Sequence, residues 1–259
     1  MTTALRRLTF FDANTWIGRW PFSFAPAFTP RTLRTHLSRH GIARALVSPL
    51  DAVFQPEPGP ANRILLRTTR GHRGLVPVPV INPVLGNWEE ELDRCARDPR
   101  VRAVRVLPAY HAFRLDGPEA SALTAALTER GLRLIVQVQL IDARHEFHAM
   151  ELKPVPAEQL KVFLRSHREL PVLASGLMRP ELKALAPAFP HLLCDLSFAE
   201  WYDTLGHLTA KVDPRQLAFA SHTPFLITAA ARAKLDSAAL QTKPKQAVAA
   251  GNLERFLAG

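Results

Sequence analysis

The sequence predicts a single (β/α)8 barrel, and three observations lead to this fold. The chain has 259 residues, close to the usual size of such a barrel. Eight short apolar segments alternate with about eight segments of helical periodicity, the order expected of parallel strands joined by helices. No linker-like change of composition divides the chain, so residues 1–259 are expected to form one domain. A doubly wound open sheet is the alternative, although no glycine-rich phosphate loop follows the first strand.

Each element follows from the spacing of its apolar residues and from helix-start and helix-stop residues. The predicted strands are Leu8–Asn14, Ala45–Leu50, Val76–Ile81, Val101–Leu107, Arg133–Leu140, Leu170–Ser175, Leu192–Ser197 and Leu217–Ser221. The predicted helices are Pro30–Arg39, Asn62–Thr69, Trp88–Arg97, Pro118–Arg130, Pro156–His167, Pro180–Phe189, Tyr202–Val212 and a tail from about Ser237 to Leu257. Thr29 is the expected N-cap of the first helix. Pro77 and Pro79 make the third strand the weakest assignment, because proline cannot donate a hydrogen bond within a sheet.

Alternation along the strands predicts which polar side chains point towards the barrel axis. Valines flank Arg105 and suit the helix-facing side, which turns Arg105 inward. By the same alternation, Gln137 and Gln139 point inward from the fifth strand. The eighth strand has a small-residue face that ends in His222. In barrel enzymes, this carboxyl end of the strands carries the chemistry.

Composition limits the classes of partner. The net charge of +10 and the pI near 10.4 favour an anionic partner. The arginines are scattered, with no basic run and no interleaved aromatic residues, which argues against nucleic-acid binding. Cys95 and Cys194 fit no metal spacing and are expected to be reduced thiols of a cytoplasmic protein. No apolar run is long enough to span a bilayer, so no membrane association is expected.

Polar residues near the predicted strand ends form the candidate site. They are Asn14, Arg19, Trp20, Asn82, Arg105, Tyr110, His111, Gln139, Asp142, Arg144, His148, Asp195 and His222. Imidazoles serve as general acids, general bases or metal ligands, so the three histidines are the main catalytic candidates. Structural alternatives remain open: Arg105 and Asp195 as a buried ion pair, Gln137 and Gln139 bonded to one another, Asp142 paired with Arg144 or His148, and histidines that only fill turns.

Three stretches carry a resemblance to a known family: residues 11–18 (FDANTWIG), 216–224 (QLAFASHTP) and 251–256 (GNLERF). Together with the order of elements over nearly the whole chain, they are similar to the amidohydrolase-2 group of the amidohydrolase superfamily. The resemblance implies a metal-dependent barrel hydrolase or decarboxylase. Each stretch is a modest motif by itself.

The differences from that family lie at its metal ligands. The usual His-x-His after the first-strand aspartate is replaced by Asn14 and Trp16. The fifth strand ends in Gln139 where a histidine is usual, and Ser175 is the nearest polar residue of the sixth strand. His222 replaces the catalytic aspartate of the eighth strand. Because amides are poor zinc ligands, we expect the usual zinc or other divalent-metal site to be absent, and any other cofactor remains open.

Five short patterns resemble a divergent bacterial branch of the family and imply a remodelled site. They are residues 18–22 (GRWPF), Asn82-Pro83 with Trp88, Tyr110-His111, Asp142-Ala143-Arg144 with His148, and residues 221–225 (SHTPF). The resemblance implies no particular substrate.

Two hypotheses from different classes follow. In the first, the protein is a hydrolase or lyase that cleaves a C–N, C–O or C–C bond of a small anionic substrate. His222 is then a general base or metal ligand assisted by His148 and His111, with Asp142 orienting a histidine. The other candidate residues bind substrate, and Arg19, Arg105 or Arg144 holds a carboxylate. In the second, the barrel is a non-catalytic binding protein or a pseudo-enzyme subunit that pairs with a homologous protein. A homodimer is expected only because symmetric dimers are common.

Overall fold

Eight parallel strands form the centre of the computed structural model, which describes residues 8–22, 25–142, 144 and 152–258. The strands are β1 (Phe10–Ile17), β2 (Ile42–Pro49), β3 (Leu75–Pro77), β4 (Ala103–Val106), β5 (Arg133–Gln137), β6 (Val172–Ser175), β7 (Leu192–Asp195) and β8 (Leu217–Ala218). Neighbours in sequence pair in parallel within β1–β3 and within β4–β8.

Backbone hydrogen bonds join these two sets of strands into a closed barrel. Between β4 and the segment after β3, the Arg105 amide of β4 donates to the Pro79 carbonyl at 2.8 Å. Between β1 and the segment after β8, the Trp16 amide of β1 donates to the Thr223 carbonyl at 3.0 Å. The first junction connects the β3 side to β4, and the second connects the β8 side to β1. The strands therefore form a closed barrel, as predicted, and not the alternative open sheet.

Helices follow the strands in the expected order. They are α1 (Pro30–Arg39), α2 (Gly59–Thr69), α3 (Trp88–Ala96), α4 (Pro118–Glu129), α5 (Ala157–Ser166), α6 (Arg179–Leu185), α7 (Thr204–Thr209), α8 (Thr228–Asp236), α9 (Thr242–Gln246) and α10 (Asn252–Ala258). Thr29 caps α1 as predicted, since its hydroxyl accepts from the Thr32 amide at 3.2 Å. No helix among the described residues is long and apolar enough to cross a membrane.

The third strand is shorter than predicted, and a side chain takes over part of its pairing. Regular strand structure ends at Pro77, and Pro79 has no amide to donate. Beyond it, Asn62 of α2 accepts from the Val80 amide at 2.9 Å and donates to the Val80 carbonyl at 2.8 Å. The buried backbone of residue 80 is therefore hydrogen-bonded without a full ladder.

The C-terminal segment is not the continuous helix that the sequence predicts. A π-helical turn at Ala247–Gly251 separates α9 from α10, and α8 was not predicted. The Val248 carbonyl of this turn accepts from the Phe219 amide beside β8 at 2.9 Å. The bond to the barrel uses a carbonyl that a continuous α-helix would occupy itself.

Three apolar layers surround and fill the barrel. One lies between strands and helices, and another fills the lumen from Phe11 and Ala13 down to Phe256 of α10. A third layer, containing Trp16 and Trp20, lies at the carboxyl end of the strands. The polar site described next lies between the lumen layer and this third layer.

Candidate functional site

Six strand ends bring polar side chains together on the barrel axis. Arg105, Gln137, Ser175 and Asp195 each stand two positions after an apolar residue of the lumen layer, so alternation turns them inward. Asn14 from β1 and His222 after β8 complete the network. All six side chains are buried.

Asn14 is the centre of this axial network. Its Oδ1 accepts from Arg105 Nη1 at 2.8 Å. Its Nδ2 lies 2.6 Å from Ser175 Oγ, 2.5 Å from His222 Nδ1 and 3.3 Å from Asp195 Oδ2. One amide therefore connects the guanidinium to the carboxylate and the imidazole.

A register shift in β1 places Asn14 at the axis and turns Asp12 away from it. The pairing of β1 with β2 shifts between Asp12 and Thr15, as in a β-bulge. Ala13 packs in the lumen, and Asn14 nevertheless also points inward. Asp12 lies instead against the backbone, where its Oδ1 accepts from the amides of Asn14 at 3.1 Å and Ser221 at 2.9 Å.

His222 is held as a neutral imidazole. Its Nε2 lies 2.6 Å from the Leu140 carbonyl, which can only accept, so Nε2 carries the proton. Its Nδ1 is then the acceptor for the Asn14 amide. Complete burial lowers the pKa of His222 to about 4, with Arg105 adding to the effect and the Leu140 bond and Asp195 opposing it. The backbone of His222 is left-handed, with φ of 55°.

Asp195 is surrounded by hydrogen-bond donors. Its Oδ1 accepts from the Gly176 amide at 3.2 Å, the Ser197 amide at 3.1 Å and Ser197 Oγ at 2.6 Å. Its Oδ2 accepts from Ser175 Oγ. The sequence did not single out Ser197, although a serine two residues after a strand-end aspartate often donates back to it.

The direct ion pair between Arg105 and Asp195 that the sequence left open as a structural alternative is not formed. No nitrogen–oxygen distance between them falls within 4.0 Å, and Asn14 bridges them instead. Burial lowers the pKa of Arg105 to about 9, with Asp195 and Asp12 opposing the shift, so the guanidinium stays charged at neutral pH.

One edge of the Arg105 guanidinium has no hydrogen-bond partner. Nη1 donates to Asn14 and to Gln137 Oε1, while Nε and Nη2 make no hydrogen bond. The guanidinium carbon lies 4.5 Å from the centroid of the Trp16 ring, whose Nε1 is also without a partner. This edge is the side of arginine that binds a carboxylate with two parallel hydrogen bonds.

Asp12 is a third group near the axis whose pKa is strongly shifted. Burial raises its pKa to about 7, although bonds from Ser221 and Asn14 oppose the shift. Its Oδ2 has no hydrogen-bond partner. Asp12 and His222 are therefore both driven towards their uncharged forms.

An aromatic cluster covers the network at the carboxyl end of the barrel. Trp20 packs on Phe54 and Phe225 with ring centroids 5.1 Å apart in both pairs. Phe225 in turn lies 5.3 Å from the His222 ring. Tyr110 extends the cluster through Phe54 at 5.6 Å. The sequence-predicted Trp20 and Tyr110 thus belong to the cover over the network.

Three further predicted residues are hydrogen-bonded outside the axial network. His111 is buried, with Nε2 3.1 Å from the Ala52 carbonyl, and burial lowers its pKa. Asn82 accepts from the amide of its own turn, at Val84. The Gln139 side chain donates to the Ile141 carbonyl, so the two glutamine side chains do not bond one another as was considered. Gln137 donates to the backbone carbonyl of Gln139 at 2.7 Å.

The remaining candidates lie near the surface or outside the described residues. Arg19 is exposed. Asp142 and Arg144 form the ion pair considered from the sequence, at 2.6 Å, with the Arg144 side chain largely exposed. His148 lies outside the described residues. Within the described ranges, no group of three His, Cys, Asp or Glu side chains could hold a metal ion.

Comparison with known proteins gives fold neighbours only. No protein-family model and no curated protein matches the chain. A 5-carboxyvanillate decarboxylase from Sphingomonas paucimobilis superposes with a TM-score of 0.75 at 12% identity, covering 97% of this chain and 99% of that one. A 2,6-dihydroxybenzoate decarboxylase from Rhizobium gives the same values. A putative amidohydrolase from Staphylococcus aureus has a TM-score of 0.74 at 9% identity, covering 96% and 99% of the two chains.

These similarities establish the fold. They agree with the resemblance seen in the sequence, because the solved structures that share this fold include decarboxylases and amidohydrolases. At such low identity, a shared barrel does not carry a substrate or a mechanism from one chain to another.

Proposed function

We propose that the protein is a hydrolase or lyase that cleaves a C–N, C–O or C–C bond in a small carboxylic acid. The unpartnered edge of buried Arg105 is the observation that carries this proposal. A buried donor without an acceptor costs about 1–3 kcal/mol, and more for a charged group. A substrate carboxylate on Nε and Nη2 would remove that cost. Trp16 Nε1 supplies a further donor beside the same guanidinium.

The fold neighbours favour an aromatic acid as the first substrate class to test. Two of them are named as decarboxylases of substituted benzoates. The aromatic cluster that contains Trp20 and Phe225 offers apolar surface beside the network, which suits a substrate ring. Because Arg105 and His222 are completely buried, binding requires this cover to open.

The donor set supports a site that works without a divalent metal. Asn14 and Ser175 stand where the related family carries ligands, and His222 Nε2 donates to a carbonyl. Divalent zinc and manganese prefer imidazole nitrogens and carboxylates. The Arg105 guanidinium also donates to Asn14, so a second cation there would meet a fixed positive charge. These residues do not fit the family's metal.

Proton transfer in the proposed site falls to groups held uncharged. Neutral His222 has an unprotonated Nδ1, which becomes available as a proton acceptor when Asn14 turns its amide away. Asp12, with its pKa near 7, can retain a proton at neutral pH. Two titratable groups with such shifted values are typical of an acid–base pair. His111, His148 and Asp142 remain proposed helpers.

The alternative is a non-catalytic barrel that binds a ligand or pairs with another subunit. The enclosure of His222 favours it, since both ring nitrogens already have hydrogen-bond partners. In that case the network would be structural, and the protein would not turn over any acid that it binds.

Calorimetric titration with a panel of hydroxybenzoates and small aliphatic acids tests the proposal. We expect one acid to bind and Arg105→Met to weaken binding by about tenfold or more, from the lost charge-assisted pair. Arg232→Met is the matched control, because Arg232 also stacks on a ring, Phe10, at 3.8 Å but lies outside the lumen. Arg105→Lys keeps the positive charge but cannot form two parallel hydrogen bonds to a carboxylate. It is a second test of the site that does not depend on the folding of Arg105→Met.

Turnover then separates the two functions. Release of carbon dioxide or of a hydrolysis product from the bound acid, lost in His222→Gln, supports the enzyme. Tight binding without turnover by the purified chain supports the non-catalytic barrel. Equal affinity in wild type and Arg105→Met would refute the assigned carboxylate site.

A further inference from the structure

The opposite end of the barrel carries a second candidate site. A cavity of about 610 Å³ opens at the amino ends of β2, β3 and β4, beside α10. Its volume falls within the range of roughly 300–1,000 Å³ typical of small-molecule sites. In barrels this face is usually concerned with stability, so a cavity of this size there requires its own explanation.

Positive charge dominates the rim of this amino-end pocket. Two of its five arginines are neutralised: Arg44 pairs with Glu254 at 2.9 Å, and Arg100 pairs with Asp98 at 2.6 Å. The other three, Arg70, Arg73 and Arg102, are exposed and form no ion pair with any carboxylate in the described part of the chain.

The excess charge continues towards the neighbouring strand. Arg133, at the start of β5, has its pKa lowered first by partial burial and then by the nearby charge of Arg102. Two like charges held side by side raise the free energy of the unliganded protein. A bound anion would relieve this repulsion.

The floor of the pocket is apolar. It is formed by the apolar residues that line the pocket together with the arginines: Leu75, Val76, Pro99 and Leu257. Gly74 lets the chain pass close to β2, since a Cβ there would lie 2.7 Å from the Ala43 carbonyl. A simple inorganic anion would use the rim alone and leave this floor bare.

We propose that the amino-end pocket binds a nucleotide, with its phosphates on Arg70, Arg73 and Arg102 and its base on the apolar floor. Arginine binds phosphate with two parallel hydrogen bonds, and its planar face also stacks on rings. A ligand that combines several negative charges with an apolar ring satisfies both halves of the pocket. The site is separate from Arg105 and does not depend on the function proposed for the carboxyl end.

Titration calorimetry of the full chain with ATP, tripolyphosphate and adenosine at fixed ionic strength tests this site. We expect ATP to bind more tightly than either fragment. The double variant Arg70→Gln/Arg73→Gln should weaken ATP binding by about tenfold, the loss expected for two partly screened charges. The double variant Arg31→Gln/Arg39→Gln on α1 removes the same charge from an exposed helix and should leave affinity unchanged.

Leu257→Asp probes the floor independently of the rim. It should weaken ATP more than tripolyphosphate, because only ATP places a base there. Equal losses in both double variants would mean nonspecific attraction to a basic protein and would overturn the site. Tripolyphosphate as tight as ATP, or a short single-stranded RNA tighter than ATP, would overturn the assignment to a nucleotide.

Discussion

Asp12→Asn should change the pH dependence of the free energy of unfolding, because Asp12 is a carboxyl whose pKa rises from 3.8 to about 7 on folding. The folded protein then holds a proton that the unfolded chain has lost. The contribution of Asp12 to the free energy of unfolding is fully present below pH 3.8 and is lost as the pH rises through about 7. Between about pH 4 and about pH 8 the loss amounts to about 4 kcal/mol, at 1.36 kcal/mol for each pKa unit.

The contribution of His222 to stability changes with pH in the opposite direction. It therefore opposes the contribution of Asp12 in the wild type. Its pKa falls from 6.5 to about 4 on folding, so its contribution is complete above pH 6.5 and is lost as the pH falls towards 4. That change is about 3 kcal/mol over nearly the same pH range. In the wild type the opposite contributions of Asp12 and His222 therefore offset each other in part over this pH range.

Urea unfolding at a series of pH values measures both effects. The stability of Asp12→Asn relative to wild type should improve by about 4 kcal/mol from about pH 4 to about pH 8. Asparagine brings an unpaired Nδ2 in place of Oδ2, which costs about 1–3 kcal/mol but does not vary with pH. Asp51→Asn, at an exposed aspartate, should show no such change. A constant difference between Asp12→Asn and wild type across the range would refute the buried, proton-retaining Asp12.

Two further predictions test the backbone and the aromatic cover. Gly176→Ala should destabilise the protein by more than about 2 kcal/mol in urea unfolding, since its Cβ would lie 2.2 Å from the Gln139 carbonyl at a φ of +86°. Gly71→Ala, with open space around it, should be nearly neutral, and equal effects would contradict this assignment. Trp20→Ala should speed modification of His222 by diethylpyrocarbonate, followed by mass spectrometry, because Trp20 packs on the ring that covers it. An unchanged rate would show that access runs elsewhere.

Alternation was sufficient to predict the inward residues of the regular strands. Arg105 and Asp195 point to the axis because β4 and β7 keep strict alternation up to their last residues. The small-residue face of β8 likewise leads to His222. At Arg105 and Asp195 the side-chain period of two is preserved, so sequence spacing translates directly into geometry, whereas His222 reaches the axis beyond the end of β8 with a left-handed backbone.

Prediction failed where the backbone departs from that period. The bulge in β1 turns both Ala13 and Asn14 inward, and a register shift has no distinct residue pattern in this segment. Asn62 lies on a helix, so strand alternation could not indicate that it pairs with Val80. His111 lies in a loop, whose course depends on contacts distant in sequence.

The residues of the axial network depend on one another for their hydrogen bonds. Asp195 has its charge satisfied by backbone and serine donors, so it does not need the guanidinium as a direct partner. Asn14 can then stand between the two charges and use its oxygen on Arg105 and its nitrogen on the acceptors. With Nη1 occupied in this way, the Nε–Nη2 edge is the part of Arg105 left for another anion. A direct Arg105–Asp195 pair would consume that edge, whereas the bridged arrangement keeps a buried, charged donor pair free for a carboxylate.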